Sequence, residues 1–339
     1  MKGNRTSSRK AIRYGLIILT LSLSIGVLSA CSSRGEEPMS KNADVKVEQN
    51  KEQVIKLPEE LPQALLEGRY NEVHARFSDA FKEQVSLTDF TDMAQKFTKG
   101  MVSFEQVARM QLNGGDYRVW FTPDKAKGIL GVFDDQGIIQ GLQISEHPGW
   151  PEQDKKMTST TYNLPFRGED WLVFWGGTNV LVNYHYEHES QRYAYDIVQA
   201  KDGYSYSGDP TQNESYHAFG QEILAPADGV VVSIVNDILD NEPVGVMNKK
   251  APAGNVVVIN HGGEYSYLAH LKKGSVTVKP GEKVRAGDVI GQLGNSGNSS
   301  EPHLHFQVSN GADLFQSQAI HIRWADGIEP VQGELIHAK

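Results

Sequence analysis

The sequence predicts an α+β unit followed by a mostly β unit built of twisted antiparallel sheets. Two patterns carry that expectation. Between residues 58 and 98, Leu61, Leu65, Leu66, Tyr70, Val73 and Phe77 recur at roughly helical spacing, and a second helix with Phe90, Met93, Ala94 and Phe97 begins near Ser86, whose hydroxyl can cap it. From residue 103 onward the apolar residues come instead in short runs between turn residues.

The first unit spans 58–146. Its strands are predicted at 103–112, 116–121, 129–133 and 138–144, the last two joined by Asp134-Asp135-Gln136-Gly137. Helices first and a strand meander afterwards make an α+β unit. It is similar to small domains of the nuclear-transport-factor-2-like type and shows no catalytic set. Residues 147–165, with Pro148, Gly149, Trp150 and Pro151, read as a connector. The second unit, 166–339, carries strand-like runs at 223–235, 255–259, 265–270, 275–278, 289–293 and 303–308. A polar stretch at 235–252 is expected as a loop beside a groove.

In front of these units, residues 1–30 read as a targeting segment. Lys2, Arg5, Arg9, Lys10 and Arg13 precede an apolar run at 14–28, which is shorter than the ~20 residues a spanning helix needs. Leu28-Ser29-Ala30-Cys31 resembles the lipobox of bacterial lipoproteins, with cleavage before Cys31 and a lipid on its sulfur. Cys31 is the only cysteine, so no disulfide can form within the chain. Residues 31–57 read as a flexible tether. The formal charge is −9, and removing the five positive charges of residues 1–30 takes it to −14. An acidic, exported chain is poorly suited to nucleic acid, whose binding relies on Lys and Arg against phosphate.

The chemistry gathers in three places. His303 and His305 lie two residues apart after Gly294-Asn295-Ser296-Gly297-Asn298-Ser299-Ser300, and on a strand they share a face while Leu304 points away. Asp196 stands among Tyr193, Ala194, Tyr195, Ile197 and Val198, where an unpaired carboxylate is expensive to bury and a metal would offset the cost. His185 and His188 precede it, and His270 sits in the strand-like 265–271. Together these supply two histidines and one aspartate for zinc, with two histidines left for acid–base work. A thiol or Gly-x-Ser-x-Gly serine mechanism finds no support.

The stretch 171–328 resembles the catalytic domain of lysostaphin-type zinc metallopeptidases, which cut peptide cross-links of bacterial cell walls. The landmarks are Tyr184-His185 with Asp196, Ala225-Pro226-Ala227-Asp228-Gly229, Gly254-Asn255-Val256-Val257-Val258-Ile259, Leu268-Ala269-His270-Leu271 and Gly287-Asp288-Val289-Ile290-Gly291, followed by the His303/His305 pair. The resemblance implies a zinc ion (Zn2+) held by His185, Asp196 and His305, with His270 and His303 as catalytic residues. In the commoner family pattern the first histidine lies only a few residues before the aspartate, where this chain has Gln191 and Arg192. His188 is therefore the alternative first ligand. The expected partners are peptidoglycan peptide stems and, through Cys31, the outer face of the cell membrane. The rival expectations are a non-enzymatic wall-binding or regulatory protein, and a zinc peptidase acting on secreted proteins.

Overall fold

The structure is a computed structural model and describes residues 58–146 and 149–338. The targeting segment and the whole tether, Cys31 included, lie outside the described residues, as do His147 and Pro148. No helix among the described residues is long and apolar enough to cross a membrane.

The expected helical run at 61–77 divides into α1 (Leu61–Leu66) and α2 (Tyr70–Ala75). The break is local: Gly68 adopts φ +74°, and Arg69 N donates back to Ala64 O, a glycine-terminated helix end. Then come α3 (Asp79–Gln84) and α4 (Leu87–Thr98), capped by the hydroxyls of Ser78 and Ser86. The strands β1 (Glu105–Leu112), β2 (Gly115–Phe121), β3 (Lys127–Phe133) and β4 (Ile139–Glu146) form an antiparallel meander in sequence order.

Side chains alternate across this sheet, so its two faces have different partners. On β3 the Gly131 position lies against Leu61 of α1, and a Cβ there would come within 3.2 Å of it. The opposite face, with Ala108, Val119, Phe121 and Leu130, packs on Val180, Leu181 and Val182. Met110 and Leu112 extend the contact to Leu172 and Val198.

Residues 149–165, read from sequence as a connector, include α5 (Pro151–Asp154) and β5 (Met157–Tyr162). Beyond them lie β6 (Gly168–Trp175), β7 (Tyr195–Gln199), β8 (Glu222–Leu224), β9 (Gly229–Val235), β10 (Asn255–Asn260), β11 (Tyr265–Leu271), β12 (Lys283–Val284), β13 (Val289–Gln292), β14 (Leu304–Ser309), β15 (His321–Trp324) and β16 (Leu335–Ala338). The main sheet has eight antiparallel strands in the order β12-β9-β10-β11-β14-β7-β6-β16. Its core face carries Ile197, Val257, Ile259, Leu268, Leu304, Phe306 and Val308.

Three expectations are corrected. The strand predicted over 223–235 is broken at Ala225-Pro226-Ala227-Asp228, because Pro226 has no N–H to offer a ladder. Its halves serve different sheets: β8 pairs with β13 and β9 with β10. Residues 275–278 form no strand. The sheets are also not all antiparallel, since β15 pairs in parallel with β5.

Candidate metal centre

Three neighbouring strands set the site. Across β11, β14 and β7 the register places Ala269 opposite His305 and His305 opposite Asp196, so these three residues cross the sheet in a row on one face. Leu304 and Phe306 point into the core layer, as the alternation requires. His303 lies one residue before β14 rather than on it, yet its Nε2 comes within 3.7 Å of Asp196 Oδ1.

His270 needs a device to reach this face. By alternation it would follow Leu268 into the core. Instead the β10–β11 pairing slips, with Asn255 opposite Leu271 but Val257 opposite Leu268, and His270 takes φ +61°. The extra residue on β11 turns the ring onto the site face. A left-handed non-glycine residue here is backbone strain held at a candidate functional position. His270 stands 4.7 Å, ring to ring, from His303 and 5.9 Å from His305.

His185 arrives from a 3-10 turn, Tyr184–Glu187, and is fully buried. Its Nε2 lies 3.6 Å from Asp196 Oδ2. His188, the alternative ligand, sits at the end of that turn and is exposed. The atoms of His185, Asp196 and His305 that can bind a metal all lie within 4.8 Å of one another.

The hydrogen bonds fix where protons and lone pairs are. Asn183 Nδ2 donates to the carbonyls of Gly177 and Ala194, so its Oδ1 faces His185 and accepts Nδ1–H at 2.9 Å. His185 Nε2 is then a bare lone pair, buried without a hydrogen-bond partner. Such an atom costs roughly 1–3 kcal/mol unless something is bound to it. Gln307 Nε2 donates to Ser190 O and Ser309 Oγ, which turns its Oε1 to His305 Nε2 at 3.1 Å. The Nδ1 of His305 is left facing Asp196 Oδ1 at 2.9 Å. Two imidazole nitrogens therefore converge on one carboxylate, which fits a divalent cation with nitrogen and oxygen donors.

Charge follows the same geometry. Burial lowers the pKa of His185 to about 3, only partly offset by Asp196. Burial opposes ionisation of Asp196, but the rings of His185, His303 and His305 outweigh it and hold the carboxyl well below its ordinary range. Burial likewise opposes charge on His305, and the Asp196 hydrogen bond overcomes it and raises the ring's pKa. His270 is driven well below its ordinary value by burial and then by His303 and His305.

His270 and His303 are pinned chiefly by backbone carbonyls, with Ser299 Oγ also 3.2 Å from His303 Nδ1. Nδ1–H of His270 donates to Ser296 O at 2.8 Å, and that of His303 to Glu301 O at 2.8 Å. As neutral rings both present a lone pair at Nε2, and donation to an oxyanion requires a second proton. Gly294, Ser296 and Gly297 belong to a tightly packed segment, not a loose turn. A Cβ on Gly297 would come within 2.4 Å of Gly254 N, and Ser296 Oγ bonds Leu271 O and Asn255 N.

Tyr184, Gln191, Pro252, Ala253, Leu314 and Phe315 line a groove with His270 and His305 at its floor. Pro252 and Ala253 come from the end of the predicted polar loop and its next residue. No sequence pattern above singles out Asn183 or Gln307. The signal for Gln307 was present, since His305 and Gln307 repeat the two-residue spacing of His303 and His305.

Residues 214–317 match the model of Peptidase family M23. The matched segment contains His270, His303 and His305, while His185 and Asp196 precede it. Peptidoglycan DD-endopeptidase ShyA of Vibrio cholerae is 48% identical over 68 residues, 19% of this chain and 15% of that protein. Glycyl-glycine endopeptidase ALE-1 of Staphylococcus capitis is 33% identical over 109 residues, 32% and 28% of the two chains. A protein of Buchnera aphidicola described only as a metalloprotease is 35% identical over 99 residues, 29% and 24%. The matches thus span between 15% and 28% of these relatives' lengths. Among solved structures, the catalytic domain of lysostaphin from Staphylococcus simulans is 28% identical and covers 35% of this chain and 87% of that one, with a TM-score of 0.22.

Proposed function

We propose that this protein is a zinc endopeptidase that hydrolyses peptide cross-links of peptidoglycan, exported and held at the outer face of the cell membrane by a lipid on Cys31. The observation that carries the reading is the buried, unpartnered Nε2 of His185 converging with His305 Nδ1 on Asp196, beside two further histidines whose Nε2 lone pairs are free. The M23 match and the relatives named as wall endopeptidases support the substrate class. The anchor rests on the basic start, the apolar run and Cys31 alone.

His185 Nε2, Asp196 and His305 Nδ1 would hold the ion. Bound there, zinc supplies a water of lowered pKa and polarises the scissile carbonyl. The remaining work falls to the chain. Asn183 and Gln307 keep the two ligand rings in the tautomers that leave those lone pairs inward. His303 Nε2 takes the proton of the attacking water, and the imidazolium so formed can pass it to the leaving amine. His270, a neutral acceptor at rest, becomes a donor to the developing oxyanion only when it holds a second proton. The groove lined by Tyr184, Gln191 and Phe315 would receive the substrate peptide.

The test is digestion of purified peptidoglycan by the full chain in detergent, with fragments identified by mass spectrometry. New peptide termini at the cross-links, abolished by a chelator and restored by zinc, support the reading. Absence of cleavage by zinc-loaded protein, with retention on the wall pellet, moves it to the non-enzymatic alternative. Cleavage of soluble proteins but not of wall moves it to a general peptidase.

A further inference from the structure

The meander's first hairpin reaches the segment that holds His303. β1 and β2 are joined by Asn113-Gly114, with φ +53° and +81°, the two-residue turn in which Asn followed by Gly is favoured. A second turn with the same signs, Asp202-Gly203, lies against it. Asn113 N donates to Gly203 O at 2.8 Å. Its Oδ1 accepts from Ser205 N at 2.9 Å and its Nδ2 donates to Ser205 Oγ at 2.9 Å. A turn-tip side chain would ordinarily meet solvent; here all its polar capacity goes to one segment of the catalytic unit.

Ser205 is almost completely buried, and its hydroxyl lies 3.3 Å from Asn113 Oδ1 and 3.4 Å from Glu301 Oε2, two acceptors for its one proton. The Glu301 main-chain carbonyl receives both His303 Nδ1–H and the Ser299 hydroxyl, each at 2.8 Å. Pro302 lies between Glu301 and His303 and stiffens the link. The Glu301 side chain thus anchors the residue whose backbone sets the orientation and tautomer of His303.

We infer that Asn113 is a positioning residue: it docks the hairpin turn on Ser205, Ser205 holds Glu301, and the Glu301 carbonyl fixes His303 with Nδ1 protonated and Nε2 turned to the site, 3.7 Å from Asp196 Oδ1. The inference rests on His303 being the proton carrier of the proposed hydrolysis. It assigns the N-terminal unit a part in turnover rather than spacing alone. Apolar contacts of Met110 and Leu112 with Leu172 and Val198 already dock this edge, so the polar path supplies direction rather than adhesion.

The variants are Asn113→Gly, which suits the turn's positive φ and removes only the side chain, Asn113→Asp, which keeps the acceptor for Ser205 N, and Ser205→Ala. Asp124→Ala, at the exposed β2–β3 turn of the same sheet, is the control. Two quantities are read on the zinc-loaded full chain: kcat and KM on a soluble cross-linked muropeptide, and the imidazole 15N–1H signal of His303, assigned by its loss in His303→Ala. Because a 1 Å misplacement of a reacting group can cost ~10²-fold, a partly released ring is expected to lose about tenfold in kcat. Asn113→Gly and Ser205→Ala should both do so with KM unchanged and the Nδ1–H signal broadened, Asn113→Asp should fall between them and wild type, and Asp124→Ala should change neither. An unchanged signal and kcat in folded Asn113→Gly, or an equal loss in Asp124→Ala, overturns the inference. Loss in Asn113→Gly but not in Ser205→Ala overturns the route through Glu301. If Asn113→Gly does not fold, Ser205→Ala decides alone. If wild type cleaves nothing, the proposed function fails, while the His303 signal still decides the positioning.

Discussion

Two pairs of histidines gather around one carboxylate, Asp196, and are held in different ways. His185 and His305 are oriented by side-chain amides, Asn183 and Gln307, and turn their free nitrogens onto Asp196. His270 is oriented by the main-chain carbonyl of Ser296, and His303 by that of Glu301 with Ser299 Oγ 3.2 Å away, and their free nitrogens make no hydrogen bond to that carboxylate. In the function proposed above, the difference separates holding an ion from moving a proton. It also means that the two jobs can be broken one at a time.

The largest expected effect is on the shared carboxylate. Asp196→Ala should abolish both zinc binding and cleavage, because the two ligand rings lose the charge between them; metal analysis and the muropeptide assay check it. His303→Ala should leave the metal in place and lower turnover ~10²–10⁴-fold, the usual contribution of a positioned proton carrier. Gln307→Ala should weaken zinc about 10–100-fold, read by competition with a chromogenic chelator, because only the support of His305 is lost. His188→Ala should change neither quantity; loss of zinc there with retention in His185→Ala would reverse the ligand assignment.

The smallest effect is on pH dependence. Asp196 raises the pKa of His305, so zinc must displace a proton from that ring, and zinc affinity should rise with pH until that pKa is passed. In chelated protein, His305 contributes stability that is complete below its unfolded pKa of ~6.5 and is lost as pH rises through the folded value. Asp196, whose pKa is lowered, contributes stability present above ~3.9 and lost as pH falls through its folded value. His185 and His270 act in the opposite sense, their lowered pKa values giving stability that is full above ~6.5 and lost as pH falls, so chelated protein should melt progressively lower as pH falls below ~6.5.

Much of this was legible from residues. Alternation around Leu304 put His305 on the site face, and the cost of an isolated carboxylate singled out Asp196. The helix starting after Ser86 was legible because its cap and apolar spacing are local. What could not be read depends on long-range register. His270 joins the site only because β11 carries an extra residue and a positive φ, which no spacing rule reveals for histidine. Which of His185 and His188 lies beside Asp196 depends on how the 3-10 turn lies against β7. β15 and β5 are parallel partners about 160 residues apart in sequence, beyond any local pattern. The run 294–300 looked unfit for a core because it lacks apolar side chains, yet Asn295, Ser296 and Ser299 are fully buried through hydrogen bonds.

The most direct test is the zinc content of purified full-length protein, compared among wild type, Asp196→Ala and His303→Ala after identical dialysis. About one zinc per chain in wild type and His303→Ala, and none in Asp196→Ala, is the predicted result. Zinc retained by Asp196→Ala, or lost with His303, would contradict the division between ion-holding and proton-moving histidines.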